Sequence, residues 1–359
     1  MDGVDAALVR LDSRDATPCC VGTHSHSYDE ALHRRLAKVV HARGIEFTEL
    51  CELDTLVGRA FADANNELLR AHGVTPDSVA AIGSHGQTIF HHPDVEDANS
   101  LQIGNANIIA ELTGIATVAD LRRRDIAAGG QGAPLLPALH AKMLFDASTI
   151  RGILNLGGIA NLTVLDPAKP STPLGFDTGP ANTLMDAWIQ SQQPGAAFDR
   201  NGNWARSGNI NEPLLARWLA DPYFARPTPK STGVDYFNPA WMSRALEGLN
   251  IAPVDVQRTL TRLTAQTAAD AAVPFSLEEI WVVGGGAHNQ LLLEDLALLS
   301  DARVASASTL GIDVDYLEAI AFAWFAHCHI EGLSVIPTST TGARRQTVAG
   351  ALYPANRAL

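Results

Sequence analysis

Apolar positions along the chain follow two interleaved rhythms. Leu53–His72 repeats them at helical spacing through Leu56, Ala60, Ala64, Leu68 and Leu69, the stripe of an amphipathic helix. Gly73 then stands where a C-cap would end it. The same spacing predicts helices over Tyr28–Arg43, Asn105–Thr113, Leu135–Phe145, Ala181–Ser191, Pro253–Ala272, Asn289–Leu299 and Asp315–His329. Short β-capable runs bounded by turn residues predict strands at Val4–Leu11, Cys19–Ser25, Val79–Gly83, Ile115–Ala119, Ile153–Leu156, Asn161–Leu165 and Ile280–Val283. Both kinds mix in both halves, so layered α/β architecture is expected. The glycine-rich segment Ala127–Pro134 breaks the pattern, as a connector or as a backbone approach to a ligand.

Composition narrows the classes. The chain has 359 residues, room for two ordinary domains, and 46% hydrophobic with 18% charged residues excludes a disordered chain. A net charge of −13 argues against general affinity for nucleic acid or an anionic membrane, while leaving room for a local basic pocket. No apolar run reaches the roughly 20 residues of a membrane helix. Met1–Asp5 shows no secretory signal, and Cys19, Cys20, Cys51 and Cys328 have neither zinc spacing nor a disulfide framework. A soluble cytoplasmic protein is expected, with no membrane and no nucleic-acid partner. His24/His26 and His91/His92 are read as solvated neighbours, and no protein-held metal is expected.

Five segments carry candidate chemistry. Asp177 follows a β-like stretch in Gly175-Phe176-Asp177-Thr178-Gly179-Pro180, where Pro180 is expected near the start of a helix. Strand ends of this kind collect ligands, although most such acids are turn or cap residues. Val283 runs into Gly284-Gly285-Gly286, which lets a phosphate or flat group approach the backbone. Arg122-Arg123-Arg124, between Asp120 and Asp125, suits a carboxylate or phosphate, or merely local ion pairs. Ser84-His85-Gly86-Gln87-Thr88 offers small polar side chains for sugar hydroxyls. Glu318 sits on a very apolar helix and must face solvent or a site. A weak echo between Asp2–Val9 and Gly157–Val164, a glycine turn before a strand in each half, would let backbone N–H groups grip a polyphosphate.

Taken in order, the blocks Asp2–Asp5, Ile82–Thr88, Gln102–Asn105, Ala119–Pro134, Leu154–Asn161, Gly175–Asp186, Lys230–Gly233, Val283–Asn289 and Glu318–Trp324 resemble the anhydro-N-acetylmuramic acid kinases, across nearly the whole chain. The resemblance implies a two-domain actin/hexokinase-like α/β fold (a duplicated ribonuclease H-like unit) with a cleft between the domains. Residues 1–128 would form the first domain, with a tail from about 341 to 359 packing back on it, and 129–340 the second, ATP-binding domain. It implies a cytoplasmic homodimer that uses ATP with Mg²⁺ and water to convert 1,6-anhydro-N-acetylmuramic acid to N-acetylmuramic acid 6-phosphate in peptidoglycan recycling. Alternatives are a kinase of another anhydro sugar and a non-catalytic sugar- or nucleotide-binding relative.

Carried over residue by residue, the resemblance makes Asp177 the general base and gives Glu318 the orienting of sugar or water. Asp2, Gly3, Asp5, Asn155, Gly157, Gly158, Gly284, Gly285, Gly286 and Asn289 would hold ATP. Gln87, Asp120, Arg122, Arg123, Arg124 and Gly179 would hold the sugar. Of the family's first phosphate loop the sequence carries only Asp2-Gly3-Val4-Asp5, and weak ATP affinity is expected from that.

Overall fold

The computed structural model describes residues 3–40, 44–93 and 95–355. The chain divides into two compact units, Met1–Met143 with Glu318–Leu359, and Leu144–Leu317. The break drawn at 128 therefore falls inside the first unit. The cause is visible in the backbone: Gln131 N donates to Thr341 O, and Arg344 N donates to Ala128 O. Asp125 adds to this, accepting from Gly132 N at 2.8 Å and from the Thr341 hydroxyl at 2.8 Å. The glycine-rich segment is stitched down, so it is no loose connector.

The first unit opens with β1 (Gly3–Arg10) and β2 (Cys19–Ser27), an antiparallel pair in which Val4 faces His26 and Ala6 faces His24. Helices α1 (Glu30–Val40) and α2 (Phe47–Ala71) follow. Val57, Ala60, Ala64 and Leu68 of α2 bury against Val4, Ala6, Leu32 and Leu36, which makes this pair of strands one wall of a core. Next come β3 (Ile82–Gly83), β4 (Gln87–His92), β5 (Asn99–Ile103), α3 (Ala106–Thr113), β6 (Thr117–Ala119), α4 (Leu121–Ala127) and α5 (Leu136–Leu144). Sequence periodicity did not predict β4, β5 or α4: β4 ends in exposed His91 and His92, and α4 is too short for a stripe.

The second unit contains β7 (Arg151–Leu156), β8 (Ile159–Leu165), β9 (Leu174–Pro180), α6 (Asn182–Gln192), α7 (Asn203–Arg206), α8 (Glu212–Leu219), α9 (Pro239–Leu246), α10 (Pro253–Ala272), β10 (Glu279–Val283), α11 (Gln290–Leu299) and β11 (Arg303–Ser306). Its strands form one five-stranded sheet in the order β11-β10-β7-β8-β9. β7, β8 and β9 are an antiparallel meander, and β10 and β11 extend it parallel to β7. That is the ribonuclease H-like arrangement the resemblance implies for each half. Ile280–Val283 is apolar and buried throughout, as a central strand covered on both faces requires. Pro180 closes β9 instead of opening a helix. It is paired with Ile159 on an edge strand, where a missing N–H is tolerated, and the Thr264 hydroxyl of α10 donates to its carbonyl.

The chain returns to the first unit with α12 (Leu317–Ile330), α13 (Thr338–Thr341) and β12 (Ala351–Tyr353). β12 pairs antiparallel with β6, which lies parallel to β3. Among the described residues this unit's strands form three separate ladders, β1-β2, β4-β5 and β12-β6-β3. Gly83 of β3 runs so close to the Phe322 carbonyl of α12 that no Cβ fits there. That approach brings His85 against Phe322, with ring centroids 4.7 Å apart.

Candidate active site

In the second unit, three loops meet at the ends of the sheet strands. The Gly157-Gly158 turn joins β7 to β8, and Asn182 N donates back to Gly157 O while Ala181 N donates to Gly158 O. The Asn182 amide also donates to Leu156 O at 2.8 Å. The glycine run after β10 docks on the same strand end. Gly284 has φ +78°, and a Cβ there would strike the Asn155 side-chain oxygen, while one on Gly286 would strike Leu156. These two glycines are required by packing. Gly285 and Gly157 differ: the nearest atoms to an added Cβ are 3.8 Å (Asn182 Nδ2) and 3.7 Å (Ile159 O) away. Backbone open to an approaching phosphate is therefore found at Gly157 and Gly285. Asn289 is occupied locally as the N-cap of α11, accepting from Leu292 N at 3.2 Å. A Cβ on Gly179, φ +153°, would press on Phe224 and Thr267, so helix α10 and the aromatic loop dictate this glycine.

Asp177 lies on β9, clamped by the segment that follows α8. Its N–H donates to Lys230 O, its carbonyl accepts from the Tyr223 hydroxyl at 2.7 Å, and its Oδ2 accepts from Thr232 N at 2.9 Å. The Lys230 ammonium donates to Tyr223 O and Phe224 O and sits 4.7 Å from the Tyr223 ring centre. Burial pushes the Asp177 carboxyl up to about 6, with the Thr232 N–H working in the opposite direction. Among the described residues Oδ1 receives no hydrogen bond. The result is one oxygen fixed, one free to accept a proton, and a pKa near working pH. Thr232, Lys230 and Tyr223 were not picked out as site residues; only the block Lys230–Gly233 marked their neighbourhood. Asp186, on α6, is also raised to about 6 by burial and by Asp199.

The first unit assembles a second group. Arg122, on α4, donates through Nη2 to His85 Nε2 at 2.9 Å and through Nη1 to Gly132 O at 2.9 Å. His85 is held neutral, lowered to about 3 by burial and by the adjacent guanidinium. Glu318, on α12, is raised by burial, with Arg122 pulling it down and Asp5 pushing it up. Asp120, at the left-handed N-cap of α4, pairs with Arg123 at 2.6 Å. Arg124 is exposed. The three arginines thus part company: Arg122 is built into the interior, Arg123 is paired, and Arg124 faces water. The Gln87 amide donates to Thr88 O. Asp5 accepts from the Ser25 hydroxyl, and Gly3 lies in β1 against His26 and Ser27. Asp2 lies outside the described residues. His85, expected only as one of several polar side chains for sugar hydroxyls, is instead packed on Phe322 of α12 and bonded to Arg122.

The sequence pattern of the anhydro-N-acetylmuramic acid kinases matches residues 1–355. The chain belongs to that family. Its curated relatives include the anhydro-N-acetylmuramic acid kinases of Photobacterium profundum, 44% identical over 99% of this chain and 96% of the relative, and of Xylella fastidiosa, 46% identical over 99% and 94%. Among solved structures, the activator of 2-hydroxyisocaproyl-CoA dehydratase from Clostridium difficile with bound ADPNP is 11% identical with a TM-score of 0.43, covering 76% of this chain and 82% of that one. No helix among the described residues is long and apolar enough to cross a membrane.

Proposed function

We propose that the chain is an ATP-dependent kinase that opens the internal 1,6-anhydro bridge of anhydro-N-acetylmuramic acid with water and phosphorylates O6, releasing ADP. Family membership supports the substrate class, and the setting of Asp177 supports the chemistry. Water attacks the anomeric carbon and gives its proton to Asp177 Oδ1. The C1–O6 bond breaks, and O6 takes the γ-phosphoryl group as the bond to ADP breaks. Sugar opening and phosphoryl transfer are thereby joined, and O6 never has to leave as a free alkoxide.

The Thr232 N–H holds Oδ2 so that Oδ1 keeps a fixed direction, and the Tyr223 hydroxyl holds the backbone beneath it. Open backbone at Gly157 and Gly285 is where we place the phosphates, with Asn155 and Asn182 bracing the loops. Mg²⁺ carried on the nucleotide would offset phosphate charge. Glu318, Arg122 and Gln87 are our candidates for the sugar side. On the ground of the family we extend the reading to a cytoplasmic homodimer in peptidoglycan recycling.

The test is ADP release from MgATP with 1,6-anhydro-N-acetylmuramic acid, followed by phosphorus–proton NMR of the sugar. One ADP for each bridge opened, with the phosphate on O6, is the expected result. ADP formed without ring opening, or phosphate on another hydroxyl, overturns the proposal.

A further inference from the structure

His24 and His26 are not solvated loop residues. They lie two apart on β2, so both side chains leave the same face of the strand, and that face is the one covered by α2. Glu67 reaches them from α2, between the buried Ala64 and Leu68. His24 Nε2 is 2.9 Å and His26 Nδ1 2.8 Å from the same oxygen, Glu67 Oε2. The three donor atoms lie within 4.8 Å of one another.

One carboxylate oxygen facing two imidazole nitrogens from a rigid strand is more convergence than packing needs. We propose that His24, His26 and Glu67 form a binding site for a zinc-class divalent transition metal that ties the β1–β2 pair to α2. Two imidazoles and one carboxylate suit this class, whereas Mg²⁺ and Ca²⁺ favour all-oxygen sets. With metal–ligand bonds of about 2.0–2.2 Å, tetrahedral donors stand about 3.3 Å apart. The pairs at 2.8 and 2.9 Å therefore need to spread by roughly half an ångström, within the reach of side-chain rotation. The backbones need not move: β2 is held in its ladder with β1, and Leu68 and Ala64 anchor α2 in the core. The side chains are 30%, 24% and 36% exposed, open enough for an ion to enter and for water to take a fourth position. Further along the same strand face the His72 ring fills the space where Gly22 has no side chain, closing that flank. Ser25 points to the opposite face, where it bonds Asp5. The His24 and His26 side chains therefore leave the strand pair on the face opposite Asp5, and the metal site does not depend on the proposed reaction.

Tag-free protein, stripped with chelator and desalted, is titrated with Co²⁺ by absorption spectroscopy and with Zn²⁺ by calorimetry. One equivalent is expected to bind, with the intense visible bands of four-coordinate Co²⁺ that Zn²⁺ displaces. His26→Ala and Glu67→Gln should each weaken binding at least tenfold, while His92→Ala, on β4, leaves it unchanged. Zn²⁺ should raise the melting temperature of the parent and not of Glu67→Gln, whose own metal-free melting curve reports that it folds. Absence of saturable binding in the parent, or binding that survives both ligand substitutions, overturns the site.

Discussion

Asp177, half-buried, and Glu318, whose residue still reaches solvent, are both carboxylates raised above their ordinary range by desolvation, one in each unit, yet their surroundings differ. Asp177 is tuned by burial against a single backbone N–H, so its charge answers mainly to the proton it carries. Glu318 is tuned by burial against a fixed cation, Arg122, itself locked to His85 and Gly132, with Asp5 as a second acid nearby. An acid in the first setting suits taking up and releasing a proton. In the second, its charge state is tied to neighbours, which suits holding a polar group in place. Burial alone would not separate these roles; the identity of the partner does.

The largest effect that can break this contrast is Asp177→Asn. Removing a positioned base should lower kcat about 10²–10⁴-fold, read by coupled ADP release, with nucleotide binding retained by calorimetry. The same substitution should raise the melting temperature, since an amide avoids the cost of a buried charge at neutral pH. Turnover within a few-fold of the parent removes Asp177 as the base. Glu318→Gln should cost less, about 10–100-fold, with the sugar KM rising, as for a lost orienting contact. If it costs more than Asp177→Asn, the two roles are exchanged.

The glycines sharpen the contrast within the second unit. Gly284→Ala should destabilise the fold by about 1–3 kcal/mol, because φ is positive and Asn155 blocks the Cβ. Gly285→Ala should leave stability within about 0.5 kcal/mol, as a substitution into open space does, and raise the KM for ATP. Denaturant unfolding and ATP saturation curves separate the two. A Gly285→Ala enzyme with unchanged KM would remove the phosphate from that backbone.

Much of this was legible beforehand, and unevenly. The α2 stripe, the apolar run of β10 and the triple glycine each carry their own local signal, and α10 appears with the bounds its pattern predicts, Pro253–Ala272. Local pattern could not tell which glycine serves packing and which stays open, because Asn155 and Leu156 come from another strand. It could not show Arg122 turning inward either: three arginines in a row look alike until His85 arrives from β3. The pairing of β2 with α2 is of the same kind, since His24 and His26 stand more than forty residues from Glu67. Pro180 was misplaced because Gly-Pro before a helix-like run suits both a helix start and the end of an edge strand.

A further contrast lies in acid stability, where the two units respond with opposite sign through different groups. Asp177, at about 6 in the folded chain, holds its proton more tightly there than unfolded, so its contribution grows as pH falls from 6 towards 4. His85 and His140 are lowered to about 3 by burial. The unfolded chain takes protons that these rings refuse, so stability is lost as pH falls below about 6.5, by roughly 1 kcal/mol per unit for each ring. Glu318 opposes them in the same unit but is one group against two. Hydrogen exchange at pH 5 should therefore show amides of α5 and β3 opening before those of β7 and β10, with the order less marked at pH 7.5. His140→Leu, which removes one of the two rings, should flatten the acid decline by about half, because the ring is fully enclosed and an apolar side chain neither takes up a proton nor pays for refusing one. If β7 and β10 open first, the acid-sensitive groups lie with Asp177 and Asp186, and the assignment of opposite signs to the two units is wrong.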